Sequence, residues 1–151
     1  MSGIEASGSQ TGFLTPVTNT TLTIPATADR IVSVGAYQTD TMAVAPFSGR
    51  GFTASGQAAP TLVAPGVNIL TAAPGGGYAR RTGTSIAAPF VTGAAALLME
   101  WGIVRGNDVE LYGEKGKAYL MRGAKPLPGI TDYPDVAAGY GRLCVEQSIP
   151  K

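Results

Sequence analysis

The stretch TGTSIAAPFVTG, residues 82–93, decides the fold, because a glycine-containing loop gives way there to a long apolar segment. From Ser85 to Trp101 the chain is rich in alanine and leucine and apolar on all sides, which predicts a helix buried in the core. Gly102 is expected to end this helix. Ser85 is therefore predicted at the start of a helix, where backbone N–H groups are unpaired and the helix dipole is positive.

Two interpretations of Ser85 are open on local physics. Serine is a favoured N-cap residue, so capping alone explains a serine before a helix. Alternatively, the unpaired N–H groups would stabilise the oxyanion that forms when the Ser85 hydroxyl attacks a carbonyl. A phosphate-binding loop is excluded by spacing, because five residues separate Gly77 from Gly83 and Thr84 stands where the lysine must be.

Upstream, short β-branched segments predict strands of a parallel sheet. They cover residues 31–36, 61–64 and 68–73. A second helix is predicted over residues 109–122, capped by Asn107 or Asp108, and a short terminal element over residues 143–149. Residues 1–21 are rich in Ser, Thr and Gly and loop-like. Strands followed by helices indicate an α/β fold, a parallel sheet with flanking helices.

The composition bounds the function. A chain of 151 residues allows one domain and hardly two. A net charge of +1 with only 14% charged residues argues against a nucleic-acid or anionic-membrane surface. The single cysteine, Cys144, excludes a disulfide framework and a thiolate metal site. Because the chain contains no histidine, it lacks any imidazole base or ligand of its own.

No membrane or export segment is expected. The longest apolar stretch, residues 86–99, covers 14 residues and includes Pro89. A transmembrane helix needs about 18 residues, so a buried helix explains this stretch better. Residues 1–5 have neither a basic region nor an apolar run, so no signal peptide is expected.

Residues 83–98, GTSIAAPFVTGAAALL, resemble the serine box of the subtilisin-like serine peptidases, usually GTSxAxPxVxGxxAL. Four flanking segments resemble the same family in the same order: IPATADRIVSVGA (24–36), APFSGRG (45–51), LVAPGVNI (62–69) and GYGRLCVEQSI (139–149). The combination of WGIVRGNDVELYGE with KAYLMRGA is most similar to subtilases of clostridial type. The resemblance covers nearly the whole chain after about residue 20.

This resemblance implies that residues 1–151 are the C-terminal half of a subtilisin-like peptidase domain. It implies that Ser85 is the nucleophile and that its own N–H is one oxyanion donor. Thr23, Gly83 and Thr84 are the implied substrate-binding residues, with Thr23 near the wall of the pocket for the residue that precedes the scissile bond. The implied partners are a peptide or protein substrate and the missing N-terminal half. Family members often bind calcium and are most often exported or on the cell envelope, but no calcium ligand or other cofactor is assigned here.

The family's catalytic triad is incomplete in this chain. The histidine and aspartate boxes lie upstream in the family, and neither is present here. The asparagine that supplies the second oxyanion donor is also absent, because Asn19, Asn68 and Asn107 stand in no matching context. The chain alone is therefore predicted to be inactive. The alternative is a non-catalytic pseudopeptidase or partner-binding module that keeps the serine box as a structural motif.

Several positions around the serine depart from the family pattern. Ile86 stands where the family often has methionine, Phe90 where it frequently has histidine, and Thr61 where an aspartate is common. Arg80 and Arg81 flank the serine-bearing loop. For these two arginines, contact with substrate and simple solvation are both open.

Overall fold

The computed structural model describes residues 15–151, so the first 14 residues of the predicted loop lie outside the described residues, and residues 15–21 contain no helix or strand. The strands are β1 (Val34–Gln38), β2 (Ala43–Val44), β3 (Leu62–Pro65), β4 (Ile69–Ala72) and β5 (Tyr78–Arg81). The helices are α1 (Thr84–Met99), α2 (Gly113–Arg122) and α3 (Val145–Ser148), and a π-helical turn, Glu100–Val104, extends α1. The predicted α/β fold with flanking helices is confirmed.

The strands form a mixed sheet and a separate ribbon. The sheet has the order β2-β1-β3, with β1 parallel to β3 and antiparallel to β2. Strands β4 and β5 form an antiparallel hairpin. The expectation of several parallel strands was therefore wrong, since β1 and β3 are the one parallel pair of named strands within residues 15–151. The predicted strand 31–36 begins only at Val34, because Ser33 is joined to Thr61 through both side chains.

The β1–β3 pair is buried on both faces. On one face a cluster of small and branched residues packs the sheet against the helices: Ala36, Leu62, Ala64, Ala87, Val91, Ala94, Leu98, Leu111 and Leu120. On the other face Tyr37 and Val63 pack against Leu127 and Ala138. Alternate residues of a strand point to opposite faces, so the sheet is the middle of three layers.

Helix α1 is buried along one face only. Ala87, Val91, Ala94 and Leu98 are buried and share one side of the helix. The other sides are exposed, with Phe90 at 41% and Leu97 at 50% of their full accessibility. The predicted burial of this helix in the core is therefore confirmed for one face and wrong for the others within residues 15–151.

By length and composition alone, the helical segment Thr84–Val104, 21 residues, suffices to cross a membrane. This is longer than the apolar stretch of residues 86–99, because the π-helical turn adds to it. Core helices of soluble proteins share this length and composition. In this structure the segment packs on the sheet through the buried face of α1.

Gly102 was expected to end the helix, but the π-helical turn continues through it to Val104. Gly102 is buried, and a Cβ there would lie 2.9 Å from the Cδ2 of Leu111. Its role is therefore close packing. The chain reverses after it at Gly106, which has a φ of 76° that favours glycine.

Helix α2 begins at Gly113, four residues later than expected, and its N-cap Tyr112 makes no side-chain capping bond. Neither Asn107 nor Asp108 caps it, because both side chains are used elsewhere. Asn107 donates to the carbonyl of Trp101, whereas Asp108 accepts hydrogen bonds from the side chains of α2.

Candidate active site

Ser85 is the second residue of α1 and is exposed. Two backbone hydrogen bonds tie the start of this helix to the ends of the parallel strands: Gly66 N–H donates to Tyr37 O (3.1 Å), and Gly83 N–H donates to Gly66 O (2.8 Å). Gly66 directly follows β3. Ser85 therefore lies at the carboxyl edge of the β1–β3 pair, which is where open α/β sheets bind their ligands.

Gly66 allows this close approach. A Cβ on Gly66 would lie 2.6 Å from the Cβ of Ala36, 2.9 Å from Gly83 O and 3.3 Å from the Cβ of Ala87. Real Cβ atoms do not come so close to such neighbours, so any side chain here would push the serine-bearing loop away from the strands. The position of Ser85 thus depends on a glycine that lies 19 residues earlier in the chain.

The loop that leads into α1 is fixed by its backbone. Gly83 is the N-cap with φ 154° and ψ 160°, a conformation that essentially only glycine adopts. Its carbonyl accepts the N–H groups of Ile86 (3.0 Å) and Ala87 (3.3 Å). Within residues 15–151, the N–H groups of Thr84 and Ser85 have no acceptor. The first turn of α1 therefore presents two unpaired donors at the positive end of the helix dipole.

The N-cap interpretation of Ser85 is wrong. The N-cap is Gly83, and the first turn has no side-chain capping hydrogen bond. In the described part of the chain the Ser85 hydroxyl makes no hydrogen bond. Its presence at this position is therefore not explained by helix capping.

An apolar groove begins at the residue after the serine. It has a volume of about 290 Å³ and lies between the hairpin and the first turns of α1. Its lining residues are Ile69, Leu70, Thr71, Ile86, Pro89 and Phe90. This groove was not predicted from the sequence because β5 was not, and without β5 there is no hairpin to form one wall.

The structure brings three of the four predicted site residues together. Gly83, the half-buried Thr84 and Ser85 are consecutive at the start of α1. Thr23 is exposed at the beginning of a turn, where its carbonyl accepts the N–H of Ala26 (2.8 Å). No hydrogen bond of the described residues links Thr23 to the serine-bearing loop. Across residues 15–151 there is also no group of three or more histidine, cysteine, aspartate or glutamate residues that could hold a metal ion.

The shifted pKa values belong to a cluster at the other end of α1. A hydrogen bond from Lys115 Nζ (2.5 Å) holds the pKa of Asp108 below its ordinary value, against the opposing effect of desolvation. The same bond raises the pKa of Lys115. The hydroxyl of Tyr119 also donates to Asp108 (2.9 Å), which raises the pKa of this tyrosine. This cluster joins the loop after α1 to α2 and is structural.

Known proteins place the chain in one family. The sequence model of the subtilase family matches residues 4–141. The chain belongs to the subtilase family. The serine protease AprX of Bacillus subtilis is 32% identical over 150 aligned residues, which cover 86% of this chain and 32% of AprX.

Solved structures agree with this assignment. The CspB protease of Clostridium perfringens is 45% identical with a TM-score of 0.84, and the match covers 89% of this chain and 29% of that one. The prenylagaramide maturation protease PagA is 35% identical with a TM-score of 0.69, over 83% of this chain and 44% of that one. The resemblance to clostridial-type subtilases and the subtilisin-like fold are confirmed. The chain spans less than half the length of these three relatives and contains part of the subtilase domain.

Proposed function

We propose that Ser85 is the nucleophile of a serine endopeptidase of the subtilisin type. The observation that carries the proposal is the position of the Ser85 hydroxyl. Ser85 is exposed, does not serve as the helix cap, and stands in the first turn of α1 at the carboxyl edge of the parallel strands, where the N–H groups of Thr84 and Ser85 have no acceptor among residues 15–151. Membership of the subtilase family supports a peptide or protein as substrate.

The arrangement suits acyl transfer. The Ser85 oxygen attacks the peptide carbonyl, and its proton passes to a general base. The carbonyl oxygen becomes an oxyanion, which the N–H of Ser85 at the helix start stabilises. When the intermediate collapses, the C–N bond breaks and the amine leaves with the proton from the base. Water then attacks the acyl-enzyme by the same route and releases the acid.

The base must come from outside this chain. The chain contains no histidine, and the family's base is an imidazole. We infer that the rest of the domain supplies it, since the chain spans 29% of the CspB protease and 32% of AprX. The chain alone is accordingly inactive.

The outer face of α1, defined by Pro89, Phe90, Gly93, Ala96 and Leu97, is where this second part binds. All five residues are exposed and apolar. Burial of such a surface drives association.

The same face leads to the nucleophile. Residues three or four apart lie on one side of a helix, so Ser85, Pro89 and Ala96 share one line along α1. A segment that packs along the outer face therefore passes beside Ser85. This geometry gives the missing imidazole a route to the hydroxyl.

Reconstitution tests the proposal. The chain is mixed with the N-terminal part of the CspB protease, up to the point where its match to this chain begins. A fluorophosphonate probe measures labelling of the serine, and a chromogenic peptide measures hydrolysis. We expect labelling and hydrolysis in the mixture and neither in the chain alone.

Ser85→Ala should remove the activity of the mixture, because loss of the nucleophile lowers kcat by about 10⁶-fold in subtilisin itself. Ser55→Ala, at another exposed serine, is the matched control and should leave it unchanged. Stoichiometric labelling of the chain alone would contradict the need for an outside base. Full hydrolysis by the Ser85→Ala mixture would contradict the role of Ser85.

A non-catalytic, partner-binding protein is the second candidate, and the absence of histidine is the observation that favours it. The coding sequence upstream of Met1 distinguishes the two. Aspartate and histidine boxes in frame with this chain support the peptidase. Their absence from the gene supports the partner-binding module.

A further inference from the structure

We propose that Arg81 selects substrates that carry an acidic side chain close to the scissile bond. This inference rests on the proposed role of Ser85 and adds a substrate class to it. Arg81 is the last residue of β5 and precedes Ser85 by four positions. Arg81 is exposed, and only Thr82 separates it from Gly83, the residue at which the serine-bearing loop enters α1.

The register of the hairpin decides which way Arg81 faces. Arg81 pairs with Ile69 across the antiparallel ladder, and paired residues share a face of the ribbon. Thr71 lies on this face too, two positions along β4. Ile69 and Thr71 are half-buried, whereas Leu70 and Ala72 on the opposite face are exposed, although Leu70 also lines the groove. Arg81 therefore lies on the face of the hairpin that is turned towards the helix carrying Ser85.

Arg80 and Arg81 are neighbours with different roles. Arg80 pairs with Leu70 on the opposite face, and its Nη1 donates to Asn68 O (2.9 Å). That bond ties Arg80 to the base of the hairpin. In the described residues, Arg81 makes no side-chain hydrogen bond and no salt bridge. The structure thus separates two arginines that the sequence left equivalent.

The charge of the surrounding segments favours an acidic ligand. Residues 41–99 include β2 to α1 and contain three arginines, Arg50, Arg80 and Arg81, but no aspartate or glutamate. A guanidinium group offers five N–H donors and binds carboxylates through two parallel hydrogen bonds. With no carboxylate in these segments, Arg81 keeps its donors for a substrate carboxylate.

The test uses the reconstituted mixture and pairs of peptides that differ only by Glu or Gln at one position. The position is varied over the two residues on each side of the scissile bond. At one or more positions we expect kcat/KM to be up to about fivefold higher for the Glu peptide, the upper end of what an exposed charge pair contributes. The preference should fall as salt is added, because salt screens exposed charges.

Variants assign the preference to one residue. Arg81→Gln should lower kcat/KM for the Glu peptides to that of their Gln partners, and Arg81→Glu should favour a Lys peptide over its Gln partner. Arg80→Gln is the matched control and should keep the preference for Glu.

Equal rates on the Glu and Gln peptides would overturn the inference while the proposed function stands. Loss of the preference in Arg80→Gln but not in Arg81→Gln would also overturn it. A mixture that hydrolyses no peptide would overturn the proposed function and the inference with it.

Discussion

The inner and outer faces of α1 have the same apolar character and opposite surroundings. The inner face, Ala87, Val91, Ala94 and Leu98, is packed against the sheet. The outer face, Pro89, Phe90, Gly93, Ala96 and Leu97, is exposed within the described residues. The apolar residues of a helix reflect every layer that packs against it in a complete domain. Within the described residues, the layer under the inner face of α1 is the sheet. The exposed apolar face next to Ser85, the proposed nucleophile, is accordingly the proposed binding site for the rest of the domain.

Adjacent leucines give the largest expected contrast. Leu98→Ala removes a fully packed side chain and should lower the free energy of unfolding of the chain by about 2–5 kcal/mol. Leu97→Ala on the outer face should change it by less than about 0.5 kcal/mol. Urea unfolding of the chain at low concentration, followed by the fluorescence of Trp101, measures both.

The order should reverse for binding. Leu97→Ala is expected to weaken association with the N-terminal part of a subtilase domain, because it removes exposed apolar surface that becomes buried. Calorimetric titration of the variant against the wild-type chain measures the difference. Equal affinities of the two chains would mean that the outer face is not the interface.

The stability of the chain should also be sensitive to substitution of Gly66, which lies against the start of α1. Gly66→Ala places a methyl group against Ala36 and Gly83 and should lower the free energy of unfolding by about 1–3 kcal/mol. Activity of the reconstituted mixture should fall as well, because the displaced loop carries Ser85. Gly116→Ala is a matched control, since a Cβ at Gly116 would meet nothing within 4 Å. A Gly66→Ala chain as stable as the wild type would contradict the close packing.

Substitution of Gly93 on the outer face should have effects of opposite sign on the stability of the chain and on its binding. A Cβ at Gly93 meets nothing within 4 Å, so Gly93→Ala should stabilise the chain alone by about 1 kcal/mol through helix propensity. In the reconstituted mixture the added methyl group lies at the interface and should weaken binding. Unfolding and titration measurements on the same variant test both signs. A variant that is stabilised and binds unchanged would place Gly93 outside the contact.

The smallest effect concerns pH at the far end of α1. Because the pKa of Asp108 is lowered in the folded chain, its contribution to stability is present above its ordinary value of 3.8 and is lost as the pH falls through the lowered value. Asp108→Asn should therefore flatten the dependence of stability on pH in this acidic range. Urea unfolding at several pH values below 5 measures the slope. An unchanged slope would show that Asp108 is equally acidic in the unfolded chain.

The start of α1 was predictable from the sequence and its surroundings were not. Gly83 and the apolar run after it fix the beginning of the helix through local backbone chemistry. In the proposed function the outer face is buried by polypeptide outside this chain, so no pattern within residues 1–151 distinguishes it from the inner face. Strand β5 was missed because its sequence, YARR, has no apolar alternation, and its pairing with β4 rather than its composition forms it.

The predicted helix boundaries were wrong where a residue contacts another segment instead of ending or capping its own helix. Gly102 signals a helix end, but it is there because Leu111 packs against its backbone. Asp108 signals a cap, but its carboxylate binds Lys115 and Tyr119. Each contact joins residues of two different segments: Gly102 contacts Leu111, and Asp108 contacts α2. Rules that use only neighbouring residues do not detect such contacts.

The hairpin that precedes the serine is held by hydrogen bonds at its base and is surrounded by open space at its tip. At the base, Asn68 N–H donates to Thr82 Oγ1 (2.9 Å) and Gly83 N–H to Gly66 O (2.8 Å). At the tip, Gly75, Gly76 and Gly77 all have positive φ and open space around them. The tip is accordingly a suitable site for the insertion of an affinity tag or a reporter loop, because the hydrogen bonds at the base hold the loop that carries Ser85 in place.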